Sequence, residues 1–523
     1  MHPSGGCLPC KSRKKKCDGA NPICRACQRN YLVCVWPAGH RPKSKGVPSS
    51  ALSIFAVDSK DASSRRDEPN AESDPAPPRA KRLPAALSSV PGALSATAHL
   101  SRESKFLLDH YLHRTGKMAS AHVGTYTPFT DALLPIADAS TMLLDSILAF
   151  SSFHLATTGS NVSPVSLFEQ QGLALRTLKY GITQYSHGDK DAGIQVFLSM
   201  LMLCCVELAN GGQSESSFQH LAALRNLAPG ILGSLPTIPQ DYKTAVVFGR
   251  ELYAYFLAVA CICDPASMGD PTTIEEFDVV FSEIISSGCT GALLGCSDAL
   301  FVLIPQAVAF LHEARALSLA HPVSTAQGAI FTPDSDAASS SSEAATLKSK
   351  TALLLTKVSL WEPPVRSDIT FQVSGRILQL ALTSILVETS YWCNVATVSA
   401  SYDPGEPLSW SFRNRAMSTL DYQMAPLMTE FVGLLESLPA QSWIATTMCW
   451  SIVVLGSYAT LPHHRNAVRR YLLDMEATFK FQNMTRSRLL LEYIWSRIRT
   501  FDQDRPIPIV EAMIETGGRF MLG

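Results

Sequence analysis

CLPCKSRKKKCDGANPICRACQRNYLVC, residues 7–34, sets six cysteines in the spacing C-x2-C-x6-C-x6-C-x2-C-x6-C. The segment is an internal duplication: Cys7, Cys10 and Cys17 recur seventeen residues later as Cys24, Cys27 and Cys34. Zinc takes four ligands in tetrahedral structural sites, so two ions need eight ligand positions. Six sulfurs fill eight positions only if two of them bridge both metals, and the duplicated spacing puts one bridge in each half. Soft, anionic thiolates can donate to two metals at once. Metal also accounts for folding. A head of about forty residues buries too little apolar area to fold alone, whereas structural zinc supplies on the order of 10 kcal/mol or more. The expected cofactor is therefore Zn2+, two per chain.

Three competing readings are weaker. A disulfide knot needs an oxidising compartment, and the opening MHPSGG lacks the apolar core of an export signal. A cross-brace finger needs eight ligands, usually with His inside the pattern, and the nearby His2 and His40 lie outside it. A chance cluster does not explain the strict duplication. The other eight of the fourteen cysteines are scattered, most of them in apolar runs where Cys acts as a small hydrophobe.

Charge divides the chain. Residues 1–50 hold six lysines and four arginines against one acid, Asp18, a net +9; the remainder carries −10, for −1 overall. A basic head on an acidic body is the asymmetry of a chain whose one end meets a polyanion. The basic residues are concentrated between the second and third cysteines, in KSRKKK. The second half has QRNYLV at the same place, with Arg29 its one charge.

From 41 to 100 the composition shifts to Ser, Ala, Pro and charge without sustained periodicity, which predicts a flexible, disordered linker. It has no leucine heptad. Beyond it, apolar stripes recur at helical spacing: Leu144, Ile147 and Leu148; Val468, Leu472, Met475 and Phe479; Leu490, Ile494, Ile498 and Phe501. Breaks are expected at Gly211-Gly212, Pro236 to Pro239, Pro363-Pro364 and Pro404 to Pro407, and a disordered insertion at 321–346. The fold class is thus mainly α: a small zinc-stabilised N-terminal module at 1–40, the linker, and a large all-helical regulatory domain at 101–523. The apolar run from Val196 to Ala209 contains Ser199 and Glu207 and reads as a buried helix, so no membrane partner is expected. Nucleophile elbow, zincin, phosphate-loop and dinucleotide motifs are not found, so no enzymatic activity is expected.

The head resembles the fungal binuclear zinc cluster transcription factors of the galactose-regulator type. The resemblance covers residues 7–34: the six cysteines, the basic stretch Lys11–Lys16, Asp18 and Pro22. It implies metal ligation by Cys7, Cys10, Cys17, Cys24, Cys27 and Cys34, with Cys7 and Cys24 bridging. It implies double-stranded DNA as partner, with Lys14, four after the second cysteine, contacting the guanines of a CGG-type half-site. Arg13 and Lys16 follow as base or phosphate contacts, and Lys11 and Lys15 as phosphate contacts. The body, in blocks such as Thr127–Ala156, Phe218–Leu227 and Cys449–Ala459, is similar to the second type of fungal-specific transcription factor domain. The implied function is RNA polymerase II gene regulation in the nucleus, with co-regulators or the transcription machinery as partners. PPRAKRLP at Pro77–Pro84 resembles a nuclear localisation signal. Without a zipper, a homodimer is expected only through the helical body or on DNA. The alternative is a nuclear scaffold that binds protein partners and is only weakly tethered to DNA.

Overall fold

The computed structural model describes residues 10–11, 14–17, 25, 96–121, 126–159, 163–211, 216–232, 239–264, 279, 291–319, 335–364, 367–400, 410–497 and 508–523. The chain falls into two compact units, Met1–Ala86 and Leu87–Gly523. The second is an all-helical body, with no β-strand among its described residues.

The body opens with a 3-10 turn, Ala96–His99, and α1, Arg102–His110. Then come α2 (Leu133–Ala139), α3 (Thr141–Thr157), α4 (Pro164–Ser186) and α5 (Lys190–Asn210). They are followed by α6 (Ser216–Leu232), α7 (Gln240–Cys263), α8 (Ile304–Leu319) and α9 (Ser335–Ser359). The last are α10 (Ile369–Ala400), α11 (Trp410–Ser437), α12 (Cys449–Ser457), α13 (Pro462–Phe479), α14 (Gln482–Arg497) and α15 (Ile509–Glu515).

Local chemistry sets many boundaries. Ser140 and Asp189 cap α3 and α5 by accepting backbone N–H bonds from Leu143 at 3.4 Å and Ala192 at 3.0 Å. Pro164 and Pro462 start α4 and α13, where a missing N–H costs nothing. Gly211, at φ 76°, ends α5 in the left-handed conformation that glycine adopts without a Cβ clash. The expected breaks at Gly211 and Pro239 are thus helix ends, and Pro363-Pro364 follows α9. The break at Pro404 to Pro407 lies outside the described residues.

Two helices form the centre. α5 packs against α3, α4, α6, α7 and α14, and α10 packs against α8, α9, α11 and α12. Among the described residues, four helical stretches are long and apolar enough to cross a membrane by length and composition: Lys190–Asn210, Gln240–Cys263, Asp298–Ser318 and Ile369–Thr397. In the first two, 89% and 94% of the apolar window is buried inside the bundle, as a helix apolar on all sides requires in a core. Each fully buried Leu, Val or Phe there contributes roughly 1.5–3 kcal/mol.

Polar side chains tie distant segments across this core. Buried Glu251 on α7 accepts backbone N–H bonds from Gly291, Leu293 and Leu294 at 2.8–3.2 Å, fixing the segment ahead of α8. His154 on α3 meets Thr115 Oγ1 at 2.8 Å and the Phe479 carbonyl at the end of α13 at 3.0 Å.

The expected insertion at 321–346 is corrected in its second half. From Ser335 onward those residues form the first turns of α9. Ala is the best helix former and Ser is tolerated, and after Pro333 the tract has neither Pro nor Gly to stop a helix. Ala344 and Leu347 are then buried against the bundle. Residues 320–334 lie outside the described residues.

Candidate nucleic-acid interface

The basic stretch follows directly from a buried thiol. Cys10 is 2% exposed and Cys17 is half-buried, while Lys11, Lys14, Lys15 and Lys16 between them are all exposed. One side of this short stretch therefore faces inward through sulfur and the other presents ammonium groups to solvent.

The backbone explains how so short a segment does both. A helical turn begins at Cys10 and Lys11. Lys15 N–H donates to the Cys10 carbonyl at 2.9 Å, and Lys14 N–H to the Lys11 carbonyl at 3.1 Å. With Lys14 at φ 52°, these two bonds make a Schellman motif, in which a left-handed residue closes the helix. A lysine in that conformation carries a Cβ where glycine carries none, and it turns the chain sharply just before Lys15 and Lys16. The four exposed lysines thus sit on a tight turn and not along one continuous helix. Such a cluster suits several phosphates around one groove and one base edge.

Of the expected ligands, Cys10 and Cys17 are described; Cys7, Cys24, Cys27 and Cys34 lie outside the described residues, as does Arg13. The two described thiols fit a metal role: one is buried and one half-buried, on either side of the lysines.

The cysteines of the body have different surroundings. Burial pushes the Cys263 and Cys449 thiols up to about 12 and Cys393 to about 11, and it raises Cys204 and Cys205 further. They stay protonated and act as small core hydrophobes. The adjacent His463 and His464, rings 4.2 Å apart, sit in the first turn of α13, directly after Pro462.

One polar cluster of the body was not foreseen. Glu388 on α10, 3% exposed, accepts from Arg315 Nε at 3.1 Å, from Trp392 Nε1 at 2.8 Å, and from Arg315 Nη2 and the Tyr458 hydroxyl. Burial opposes its ionisation, but the guanidinium and these hydrogen bonds outweigh burial and hold the carboxyl below its usual range. Glu388 and Trp392, four apart on a helix, were the sequence's sole sign of it.

Comparison with known proteins follows the same division. The family described as the fungal specific transcription factor domain matches residues 106–507, and the fungal Zn(2)-Cys(6) binuclear cluster domain matches residues 5–43. Over 49 residues the chain is 45% identical to an uncharacterized transcriptional regulatory protein of Schizosaccharomyces pombe, covering 9% of this chain and 7% of that one. Over 51 residues it is 43% identical to a Zn(2)-C6 fungal-type transcription factor of Aspergillus fumigatus, covering 9% and 14%. Over 40 residues it is 48% identical to a transcription factor of Fusarium proliferatum, covering 7% and 16%. The chain thus spans at most 16% of the length of these relatives. No solved structure matches it.

Proposed function

The chain belongs to the family of fungal specific transcription factor domains, with a zinc cluster domain at its N-terminal end, and from that premise we propose a sequence-specific regulator of RNA polymerase II genes acting in the nucleus. The observation that carries the reading is the set of four exposed lysines around a tight turn that starts at buried Cys10. Cys7, Cys10, Cys17, Cys24, Cys27 and Cys34 would hold two zinc ions, with Cys7 and Cys24 shared between them. Bound zinc supplies folding energy and no reaction chemistry.

In this reading residues 1–40 bind DNA, 41–100 tether, and 101–523 regulate. Lys14, the left-handed residue of the turn, reads the guanines of a CGG-type half-site in this reading. Arg13 and Lys16 contact bases or phosphates; Lys11 and Lys15 hold phosphates. Dimers form through the helical body or on the DNA, and co-regulators bind the body.

The test is a salt titration on a CGG duplex and a scrambled one, with zinc content checked in each variant. Lys14→Ala is expected to lose about 1–3 kcal/mol of discrimination between the two duplexes. Lys11→Ala is expected to weaken both alike and to reduce the salt slope by about one unit. If Lys14→Ala weakens both equally while Lys11→Ala weakens only the CGG complex, the roles are reversed. If neither matters at low salt, this stretch does not read DNA.

A further inference from the structure

A cavity of about 70 Å3 opens between α7, α8, α10, α12 and the start of α15, far in sequence from the cysteine head. Its walls are apolar: Ile262, Val308, Ile385 and Val454 line it, and Ile509 closes one side. Its polar lining centres on the Arg315–Glu388–Tyr458 cluster.

The hydrogen-bond accounting of that cluster is one-sided. Glu388 has four donors aimed at its two oxygens, three at Oε1 and one at Oε2. Arg315 gives Nε and Nη2 to Glu388, and on a side chain 27% exposed its Nη1 is left to water or to an incoming group. A guanidinium presents five N–H donors and no acceptor. The cavity therefore offers donors from Arg315 and a carboxylate already well supplied with them.

We propose that this cavity is a binding site for a small uncharged organic molecule carrying a hydrogen-bond acceptor, such as a carbonyl or amide oxygen, received by Arg315 Nη1. Charge argues for the uncharged class. Glu388 already neutralises Arg315, so an anion would enter an apolar chamber beside a carboxylate with no charge left to offset it. A cation would meet donors instead of acceptors. Size sets the rest. The cavity is roughly half of the ~150 Å3 that accommodates benzene, so a short branched or linear head of a few heavy atoms is buried and any longer part leaves by the mouth, past exposed His312. A ligand seated there touches five helices at once, and it would stabilise the closed packing of α15 on α7 and α14 by mass action.

The experiment uses the full zinc-loaded chain, with isobutyramide as probe and isobutyrate as its charged match at equal concentration. Saturation-transfer NMR reads binding, and a thermal melt reads stabilisation. Isobutyramide is expected to bind saturably at roughly millimolar affinity, which about six non-hydrogen atoms can sustain, and to raise the melting temperature; isobutyrate is expected to do neither. Arg315→Lys keeps a cation against Glu388 but withdraws the Nη1 donors, and should weaken the amide at least tenfold. Leu311→Trp and Ile509→Trp fill the cavity from half-buried positions on two different helices, and both should abolish amide binding while the melt of the free protein stays cooperative. Absence of amide binding overturns the site. Binding that survives both tryptophan variants places the amide elsewhere and also overturns it. Isobutyrate binding as well as the amide overturns the ligand class. The readout does not involve DNA, so these outcomes are independent of the head's function.

Discussion

Glu207 interrupts the apolar run of α5 and gives the core a titration of its own. It is 2% exposed, and one of its oxygens, Oε2, has no hydrogen-bond partner among the described residues. Burial pushes its carboxyl up to about 7, with a 3.3 Å hydrogen bond from Gln171 opposing. A carboxyl whose native pKa lies above its unfolded value of 4.5 holds its proton more tightly when folded. Its contribution is complete below the unfolded value and is lost as pH rises through about 7. His154 acts in the opposite direction over an overlapping window. Burial pushes its imidazole down to about 4, so the neutral ring is favoured in the fold and stability is lost as pH falls from 6.5 toward that value. Glu207→Gln keeps the shape without the charge. It is expected to flatten the alkaline-going slope of the stability curve, between about pH 4.5 and 7, by about 3 kcal/mol, leaving the opposing contribution of His154 in place. Urea melts of the protein across that range check it. An unchanged alkaline slope would mean that Glu207 titrates normally.

At the scale of elements, glycine makes the packing testable in both directions. A Cβ at Gly193 near the start of α5 would stand 2.6 Å from the ring of Tyr185, whereas a Cβ at Gly433 on α11 would meet nothing within 4 Å. Helix propensity favours Ala over Gly by about 1 kcal/mol at either position. Gly433→Ala is therefore expected to raise stability by about 0.5–1 kcal/mol. Gly193→Ala should lower it by about 1–3 kcal/mol, because a ring in a close-packed interface cannot move freely; denaturant midpoints of the two variants decide the sign. The stripes read from sequence are the buried faces: Leu144, Ile147, Leu148, Val468, Leu472, Met475, Phe479, Leu490 and Ile494 are all in the core. Ile498 and Phe501 lie outside the described residues. Periodicity was legible because it is local. The Arg315–Glu388 pair was not, since its partners stand 73 residues apart and no spacing rule links α8 to α10. The left-handed turn at Lys14 was also hidden, because Lys has no preference for that conformation and the bonds that enforce it arise only once the turn forms.

For the molecule as a whole, the two units depend on different sources of stability. The body has a continuous apolar core, whereas the head is too small for one. Removing zinc with a strong chelator is expected to abolish DNA binding while the far-UV helical signal and the main thermal transition of the body persist. Loss of that main transition on chelation would show that the body depends on the head. The centre of the body carries a cost of another kind. α5, with a mean hydropathy of 2.0 over its most apolar window, needs α3, α4, α6, α7 and α14 to cover it. A ribosome delivers these in order, and α14 begins only at Gln482. At about 5–20 residues per second, the wait between the end of α5 and the arrival of α14 is roughly 15–55 s. During that interval a nascent chain displays a bare, lipid-like helix face. Until α14 arrives, that one side of α5 is an apolar surface of the kind that aggregates or recruits chaperones during synthesis.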